Sequence, residues 1–502
     1  MNTKALRQKV LDLAIHGKLV PQNPNDESAT VLLEKIRAEK AEKIKKGELK
    51  ADKKDSFIFT KECEFDEYKL GKCSSGTRHK RHYEQFADGT VKDIEDEIPF
   101  DIPEGWAWCR LPEITEYIFA GGDKPSVFSK EKTDECFIPI YSNGIENDGL
   151  YGFTDKATAK ETSLTISARG TIGFTCIRTT AFVPIIRLIT ITPNNDYINI
   201  HYLKAVFDSL FSFSEGSSIP QLTVPTIKQF LIPLPPFNEQ KNIYSSITKI
   251  ETIIQTLEQN KNDLKISIKQ TKSKILDLAI HGKLVPQDPN DEPAEELLKR
   301  IATSDNRPYE KIEEGDIPFE IPPSWKWTTI KNIVNYIGDG DWIESKDQSD
   351  KGIRLIQTGN IGFGTFKDKE GKYHYISENT FSSLGCNEIF EGDILISRLP
   401  EPVGRACILP KLPERMITAV DCTIIRLNEE LFQKELFVYY TISNKYLELI
   451  KENCTGTTRL RISRSNLEKI LVPIPPLNEQ KRILNRIKEL FEGLNEVVLN
   501  LV

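Results

Sequence analysis

The stretch LDLAIHGKLVPQ, from Leu11 to Gln22, decides the fold because it returns unchanged from Leu276 to Gln287. One residue later, both copies continue into Pro-Asn-Asp-Glu. An identity of this length inside one chain indicates an internal repeat, and a repeat constrains the architecture more strongly than any local pattern. The sequence therefore predicts a chain built from two related halves.

Two further blocks recur in the same order and bracket the segments between them. IPFDIPEGWAW, from Ile98 to Trp108, returns as IPFEIPPSWKW from Ile317 to Trp327. IPLPPFNEQK, from Ile232 to Lys241, returns as VPIPPLNEQK from Val472 to Lys481. The spacing between blocks differs in the two halves, so the connecting segments vary in length while the blocks stay fixed.

The third block predicts the start of a long helix. Pro235 and Pro236 cannot lie inside a helix, Asn238 is a favoured N-cap residue, and Glu239 suits the positive end of the helix dipole. Apolar residues then follow a heptad as far as Gly282, which indicates a coiled-coil helix of about 44 residues and roughly 65 Å. The a and d positions are Ile243, Ile247, Ile250, Ile254, Leu257, Lys261, Leu264, Ile268, Thr271, Ile275 and Leu278.

The two ends of the chain carry the same heptad register in two pieces. Leu6, Val10 and Leu13 match the last part of the central helix, and the segment after Asn478 matches its first part. We therefore expect the terminal helices to lie end to end, antiparallel to the central helix, in a pseudo-twofold arrangement. The alternative is two unrelated amphipathic helices that pack on separate cores.

The segments between the blocks are rich in Gly, Ser and Thr and contain short β-branched runs such as Leu164–Ser167 and Ile394–Ser397. Such runs, joined by polar loops, predict mixed α/β domains. The predicted fold class is α/β (α+β), with two such domains separated by a long antiparallel coiled coil. The predicted organisation is an N-terminal helical region (1–50), a charged linker (51–97), a first globular domain (98–236), a central helical region (237–300), a linker (301–316), a second globular domain (317–476) and a C-terminal helix (477–502).

The polar loops of the two globular segments differ far more than the blocks around them. Similar scaffolds with divergent loops are expected of two domains that each recognise a different target. The net charge of −7 speaks against DNA binding, but the electrostatic footprint of a DNA-binding protein is local. Hydroxyl, amide and guanidinium groups are the ones that bind phosphates and base edges. The predicted DNA-contacting residues are Lys124, Ser142, Asn143, Arg169, Thr171, Ser217, Ser218, Gln221 and Thr223 in the first half, and Thr358, Asn360, Arg398, Arg405, Thr457, Thr458, Arg459, Arg461 and Arg464 in the second.

Two alternatives stay open for these residues. The arginines at predicted strand ends, such as Arg169 and Arg398, could pair with internal carboxylates. The loops around Gly216 and Gly456 could be solvated turns that contact nothing.

The sequence lacks catalytic motifs. Pro-Pro-Phe at Pro235 resembles the Asn/Asp-Pro-Pro-Phe/Tyr motif of amino-methyltransferases, but Leu234 and Ile474 stand where the amide or carboxylate must hold the target amine. Gly17-Lys18 lacks the rest of a phosphate-binding loop. We therefore predict no catalytic residue and no cofactor site in this chain.

Cysteine usage and hydropathy bound the remaining possibilities. The nine cysteines form no CxxC pair, which argues against a disulfide framework. Cys73, His79 and His82 resemble metal ligands, but their Lys/Arg-rich surroundings favour a solvated loop, so no metal site is predicted. The N-terminal residues have no signal-peptide pattern and no apolar run is long enough to span a bilayer, so a cytoplasmic location without membrane partners is expected.

The repeated motifs resemble those of the specificity subunits of type I restriction–modification enzymes. The resemblance rests on Ile-Pro-x-x-Ile-Pro-x-x-Trp-x-Trp before each globular domain and on Pro-Leu/Ile-Pro-Pro-x-Asn-Glu-Gln-Lys after it, and it covers essentially the whole chain. It implies domains similar to the target-recognition domains of DNA methyltransferases, which bind double-stranded DNA. It also implies assembly with two modification subunits that use S-adenosylmethionine and with restriction subunits that use ATP and Mg²⁺.

The resemblance implies a non-catalytic subunit that reads an asymmetric, two-part DNA site with one domain for each half. The coiled coil would set the spacer and dock the methyltransferase subunits, and cofactors would belong to the partners. Two other classes remain open at this point. One is a coiled-coil adaptor that binds protein, and the other is a degenerate part of a single-chain restriction–methylation enzyme.

Overall fold

A computed structural model describes residues 2–50, 52, 55–62, 80–212, 222–304, 312, 315, 317–456 and 459–500. The chain divides into two compact units, Met1–Gln259 (unit 1) and Asn260–Val502 (unit 2). The helices are α1 (Thr3–Ile15), α2 (Ala29–Lys45), α3 (Ile200–Ser212), α4 (Val224–Lys228), α5 (Phe237–Ile280), α6 (Ala294–Ser304), α7 (Glu378–Leu384), α8 (Lys434–Thr441), α9 (Asn444–Glu452), α10 (Arg464–Glu468) and α11 (Leu477–Asn500).

Both units contain strands from end to end of their globular segments. In unit 1 they are β1 (Ser56–Glu62), β2 (Lys80–Phe86), β3 (Val91–Asp93), β4 (Ala107–Arg110), β5 (Thr115–Ala120), β6 (Ile138–Tyr141), β7 (Leu150–Thr154), β8 (Ser163–Ile166), β9 (Thr175–Arg178), β10 (Val183–Pro184), β11 (Ile189–Pro193) and β12 (Leu231–Leu234). In unit 2 they are β13 (Lys326–Thr329), β14 (Val334–Asp339), β15 (Gln348–Ser349), β16 (Ile353–Ile356), β17 (Tyr375–Ile376), β18 (Glu388–Ile389), β19 (Ile394–Ser397), β20 (Ala406–Ile408), β21 (Met416–Thr418), β22 (Cys422–Leu427) and β23 (Leu471–Ile474).

The same sheet is built twice. Unit 1 has a four-stranded sheet of order β5-β11-β8-β9, and unit 2 has one of order β14-β22-β19-β20. All neighbours in both sheets are antiparallel. The strand of the Trp-x-Trp block pairs with the strand of the Pro-Pro block in each unit, as β4 with β12 and as β13 with β23. The prediction of two mixed α/β domains is therefore confirmed.

Helix α5 is a single helix of 44 residues, as the heptad predicts. It begins at Phe237, two residues before the Glu239 start that an N-cap at Asn238 implies, so Asn238 lies in the first turn and is not the N-cap. The amide nitrogen of the Asn238 side chain instead donates to Asp26 Oδ1 at 3.2 Å. The two prolines set the start because the helix begins directly after them.

The antiparallel helix pairing is formed inside each unit. In unit 1, Arg7 on α1 bonds Glu251 and Glu258 on α5 at 2.9 Å, while Gln22, beyond the end of α1, reaches Glu239 at the start of α5. In unit 2, Lys272 on α5 donates to Asn495 on α11 at 2.5 Å. Gln287 beyond the end of α5 reaches Glu479 at the start of α11. The two pairings repeat each other, as the shared register predicts.

The heptad positions of α5 are buried unevenly. Ile243 and Ile254 in unit 1, and Ile268 and Ile275 in unit 2, are buried. Leu257 is 41% exposed and Leu264 is 38% exposed, although both occupy core positions of the heptad. The seam is therefore covered near the ends of α5 and open around its middle.

The segment predicted as a charged linker, residues 51–97, differs from that expectation. It contains a three-stranded antiparallel sheet of order β1-β2-β3. Alternating aromatic residues explain the difference, because Phe59 stacks on Tyr83 at 5.8 Å while Ile58 turns inward against Trp108. The charge of the segment concealed a period of two residues that is typical of strands.

This sheet and α2 cover a carboxyl group that has no counterpart in unit 2. Glu113 is 5% exposed, and neither carboxylate oxygen has a hydrogen-bond partner among the described residues. Burial raises the pKa of Glu113 to about 8, and Arg37, whose Nε lies 3.5 Å from the carboxylate, opposes the shift only in part. The matching residue of unit 2, Asn332, cannot titrate and bonds Thr328.

Candidate DNA interface

The three repeated blocks meet at one point in unit 1. Trp106 Nε1 donates to Glu239 Oε2 at 3.0 Å, and Gln22 Nε2 donates to Glu239 Oε1 at 3.2 Å. Gly17 has φ +64°, and a Cβ there would lie 2.3 Å from Pro103 Cγ, so only glycine fits. Burial raises the pKa of Glu239 above its ordinary value, and the two donors favour the charged form. We call these residues the junction of unit 1.

Unit 2 forms the same junction with the second copy of each block. Trp325 Nε1 donates to Glu479 Oε2 at 3.0 Å, and Gln287 Nε2 donates to Glu479 Oε1 at 2.5 Å. A Cβ on Gly282 would lie 2.3 Å from Pro322 Cγ. In each unit, residues from all three blocks contact one another in this buried junction. This shared contact explains why the blocks recur in both halves of the sequence.

The variable loops of unit 2 converge at one edge of the repeated sheet. Strands β14 and β19 end there and β22 begins there, since Asp339 pairs with Thr423 and Ser397 pairs with Cys422. Residues 459–464 join this edge because the Ile462 amide donates to the Arg398 carbonyl at 3.3 Å. We call residues 339–343, 397–399, 419–422, 455–456 and 459–464 the loop edge of unit 2.

Arginines and aspartates alternate on this loop edge. Arg398 and Arg464 both face the Asp339 carboxylate, at 3.5 and 3.6 Å. Arg461 bonds Asp421 at 3.1 Å. The side chains of Arg461 and Arg464 are 48% and 45% exposed, whereas that of Arg398 is 6% exposed. Two guanidinium groups therefore stand at the surface, held by acids that do not fully enclose them.

The predicted residues Arg459 and Arg461 lie at or next to a backbone bridge. The backbones of Thr455 and Arg461 exchange two hydrogen bonds, of 2.8 and 2.9 Å. Arg459 lies between them, exposed, and forms no side-chain contact with any other residue that the structure describes. Thr457 and Thr458, also predicted to contact DNA, lie outside the described residues.

Three predicted residues of unit 2 are engaged inside the protein. Arg405 is buried and donates to four backbone carbonyls, including those of Thr358 and Ile361. Asn360 is also buried, and its side chain bonds the Gln357 amide and the Lys367 carbonyl. Arg398 also donates to the Val420 carbonyl. These side chains hold the loops in place, and a role in DNA contact remains a prediction for them.

Unit 1 forms its loop edge around Asn143. The Asn143 side chain accepts from the Ala168 amide at 2.8 Å and donates to the Ile186 carbonyl at 2.6 Å, so it joins two loops. Ile186 and Arg187 have φ of 54° and 60°, a conformation that is strained for a β-branched residue. We call residues 120–124, 142–143, 167–171 and 185–188 the loop edge of unit 1.

Each of the two bonds made by Asn143 precedes an arginine. Arg169 follows Ala168 and Arg187 follows Ile186, and both arginines are exposed. Neither guanidinium contacts another side chain within the described parts of unit 1. Among the described residues, the guanidinium groups of Arg169 and Arg187 therefore stand on the loop edge of unit 1 without a side-chain partner.

The family described as "Type I restriction modification DNA specificity domain" matches residues 103–265 and 322–501. The two matches cover both loop edges and most of the chain.

The chain belongs to this family.

Relatives of this specificity family are similar along nearly the whole chain. The "Type I restriction enzyme EcoAI specificity subunit" of Escherichia coli is 28% identical, over 98% of this chain and 90% of the relative. The EcoEI specificity subunit of the same species is 27% identical with the same coverage. A chain of the structure "Structural basis underlying complex assembly and conformational transition of the type I R-M system" shares the fold, with a TM-score of 0.51, 17% identity, and coverage of 80% of this chain and 96% of that one.

The remaining predicted residues of this family member are placed as follows. Lys124 lies 3.6 Å over the ring of Phe128, and Ser142 donates to the neighbouring carbonyl. Thr171 is exposed beside Arg169, and Thr223 caps α4 by accepting from the Thr226 amide. Ser217, Ser218 and Gln221 lie outside the described residues, as do Cys73 and His79 of the rejected metal cluster.

Sequence reasoning missed two residues of the specificity-family loop edges. Arg187 belongs to no repeated motif, and its exposure depends on the strained turn at Ile186. Trp342 is 70% exposed and follows the end of β14. Trp342 could have been suspected, because the matching position in the first half is Asp123 and not an aromatic residue.

The described residues contain no group of three or more His, Cys, Asp and Glu side chains that could hold a metal ion. Within them, no helix is both long and apolar enough to cross a membrane.

Proposed function

We propose that this chain is the DNA-reading subunit of a type I restriction–modification complex, and that each unit reads one half of a two-part site. The observation that carries the proposal is the match of both units to the specificity family, at the segments that expose arginines. Arg169 and Arg187 in unit 1, and Arg459, Arg461 and Arg464 in unit 2, all lie on loop edges. Guanidinium groups on fixed loops suit phosphate contact and bidentate contact with guanine.

The net charge of −7 does not oppose this proposal, because charge is distributed unevenly. The loop edge of unit 2 places four arginines, including the buried Arg398, against three aspartates, Asp339, Asp341 and Asp421. Phosphates could compete with these aspartates for the exposed guanidinium groups. Acids elsewhere on the surface would act weakly beyond a Debye length of about 8 Å at physiological salt.

The two loop edges support an asymmetric target. Unit 1 presents arginines that are unpaired among described residues, while those of unit 2 stand beside carboxylates. Different side chains at matching positions of one scaffold would select different bases. The two half-sites should therefore differ, and the complete site should not be a palindrome.

Helix α5 supports the proposal for the spacer and for the partners. It is continuous from Phe237 to Ile280, so its length would set the gap between half-sites. Exposed apolar residues on it, Ile253 and Leu257 in unit 1 and Leu264 and Ile266 in unit 2, would suit a helical partner. We assign this role to two modification subunits, one for each repeated half, with restriction subunits joining them.

The cofactors of the reaction would belong to those partners. S-adenosylmethionine would be bound by the modification subunits, and ATP and Mg²⁺ by the restriction subunits, because no motif for any of them occurs in this chain. A complex that acts on chromosomal DNA would work in the cytoplasm.

The experiment that tests the proposal uses this chain in complex with its modification subunit. Methylome sequencing of cells carrying only these two proteins would give the methylated motif. Filter binding should then show tighter binding of a duplex with that motif than of a scrambled duplex. Assembly with the modification subunit but equal binding of both duplexes would favour the adaptor function.

A further inference from the structure

Trp342 stands apart from the other tryptophans of the chain. It is 70% exposed, whereas Trp106, Trp108, Trp325 and Trp327 are each at most 6% exposed. All five lie among the described residues, and the other four belong to the repeated Trp-x-Trp blocks. An indole exposed to water costs free energy, and exposed apolar groups often mark binding sites. The residues around Trp342 indicate which ligand it could bind.

The backbone around Trp342 places it on the loop edge of unit 2. The Asp341 amide donates to the Thr418 carbonyl at 2.8 Å, and the Val420 amide donates to the Asp341 carbonyl at 2.9 Å. Trp342 directly follows Asp341, whose backbone is bonded to Val420. The next residue after Val420 is Asp421, the partner of Arg461. Asp339, three residues before Trp342, faces Arg398 and Arg464.

The loop that carries Trp342 is fixed on both sides. Before it, the Asp341 carboxylate accepts from the Asn387 amide at 3.0 Å and from its side chain at 3.1 Å. After it, Glu344 and Asp347 form a reciprocal capping box at the next turn. Trp342 Nε1 donates to Glu344 at 3.4 Å. The indole is thus held outward by a rigid loop, which lowers the entropic cost of binding through it.

We propose that Trp342 lies against the bases of the second half-site and contributes to its recognition, an inference that rests on the proposed function. Aromatic side chains contact bases by stacking or by insertion beside them, and apolar contact also reads the thymine methyl group. Arg461 and Arg464, which lie on the same loop edge, would bind phosphates. Leu460, 44% exposed between two arginines, adds a second apolar group to the same surface.

The charge around Trp342 favours DNA over a protein partner as the occupant. Arg461 and Arg464 lie half-exposed on the same loop edge as Trp342, and nucleic acid supplies negative phosphates together with flat apolar bases. The matching position of unit 1 is Asp123, which would repel phosphate. The contact would therefore belong to the second half-site alone.

Binding assays on the complex with the modification subunit test the proposal. The probes are the motif duplex from methylome sequencing and a scrambled duplex. Trp342→Ala should weaken motif binding about 10- to 100-fold, and Trp342→Phe should stay within about 3-fold of the parent, because stacking needs a flat ring. Both variants should keep the melting temperature of the parent, since the indole is largely exposed.

Phe390→Ala is the matched control. Phe390 is 51% exposed in the same unit, next to Arg426 and Asp393 at the start of β19, whereas the loop edge lies at the end of β19. Its removal should leave motif binding unchanged. An equal loss for Phe390→Ala and Trp342→Ala would overturn a specific role for Trp342.

Fluorescence gives a second readout that does not depend on affinity. The difference between the emission of the parent and of Trp342→Phe reports Trp342 alone, whatever tryptophans the partner carries. Motif DNA should protect this signal from acrylamide, and the scrambled duplex should protect it less.

Four results separate the outcomes. Protection by the motif with weakened binding of Trp342→Ala supports the proposal. If the complex prefers the motif, but Trp342→Ala binds it as the parent does and the motif does not protect Trp342 fluorescence, the proposal is overturned and the proposed function stands. Protection by the modification subunit before DNA is added assigns the indole to a protein contact and also overturns it. Equal binding of both duplexes by the parent complex contradicts the proposed function itself, and this inference with it.

Discussion

Unit 1 and unit 2 fix the same part of the backbone with different side chains. In unit 1, Asn143 donates to the Ile186 carbonyl from one loop and accepts from the Ala168 amide of another. In unit 2, Arg398, which occupies the position of Ala168, donates directly to the Val420 carbonyl. The bond to the turn is kept while the residue that makes it changes.

The difference teaches which contacts the fold requires. At the junctions, Glu239 and Glu479 have the same partners through the same atoms, because a buried carboxylate needs both donors. At the loop edges the backbone must be held, but the outward side chains are free to vary. Two scaffolds can therefore stay alike while their recognition surfaces diverge.

The largest expected effect comes from the loop of unit 2. Replacing Arg459 and Arg461 together by Ala should weaken motif binding by about 1–3 kcal/mol for each arginine, without unfolding unit 2. Competition binding on motif and scrambled duplexes measures the change. Arg415→Ala is the control, since Arg415 is similarly exposed but pairs with Glu378 and Glu388. Unchanged binding by the double variant would return this loop to the class of solvated turns.

Glu113 should make the stability of unit 1 depend on pH in a way that unit 2 does not share. The folded-state pKa of Glu113, about 8, lies above its unfolded value of about 4.5. The contribution of the protonated carboxyl group to the stability of unit 1 is therefore fully present below about pH 4.5 and is lost as the pH rises through 8. Unit 1 should lose up to about 1.4 kcal/mol per pH unit between roughly pH 5 and pH 8.

Hydrogen exchange of each unit from pH 5 to pH 8, corrected for the intrinsic exchange rate, measures this dependence. Glu113→Gln should flatten the profile of unit 1, while unit 2, with Asn332 at the matching position, serves as the internal control. An equal slope in the two units would show that Glu113 is not the source.

Arg187→Ala should sharpen the contrast between the loop edges. We expect a loss of about 1–3 kcal/mol if Arg187 meets a base, or a salt slope lower by about 1 if it meets a phosphate. If Arg187 meets a base, the methylated motif should accept additional bases in the first half-site only. Relaxation in the second half-site would contradict the assignment of one unit to each half.

The junction variants should show equal effects in the two units. Glu239→Gln and Glu479→Gln each leave one of two buried donors without an acceptor, which costs about 1–3 kcal/mol of unfolding free energy. Thermal melting and hydrogen exchange measure the loss, and Glu104→Gln, at an exposed position, is the control. A large effect in one unit alone would mean that the junctions are alike in geometry but not in energy.

The smallest effect on affinity is expected from lengthening α5. Four residues inserted near Lys261 add one turn of about 6 Å and rotate the following face by about 40°, which corresponds to one or two base pairs of about 3.4 Å. A coiled coil can absorb such a stutter. Both half-sites should persist in the methylome, with one or two more unspecified bases between them. An active variant that keeps the original gap would show that α5 is not the ruler.

Much of this organisation could be predicted from the sequence. The repeated blocks give the two halves, and the heptad from Ile243 to Leu278 gives a helix whose observed length is 44 residues. These signals are local, because periodicity and proline position act within a few turns of chain. The strands between residues 56 and 93 were not predicted, because the many charged residues of this segment concealed a weak alternation of apolar and polar residues.

The candidate site was only partly within reach of the sequence. The sequence by itself determined the family, the halves, the long helix and the position of the variable loops. Only the tertiary structure decided that Arg405 is enclosed by carbonyls, that Asn143 joins two loops and that Trp342 stands in water. The physical reason is that a polar or aromatic side chain takes its role from partners distant in sequence, and neither its type nor its neighbours along the chain specify them.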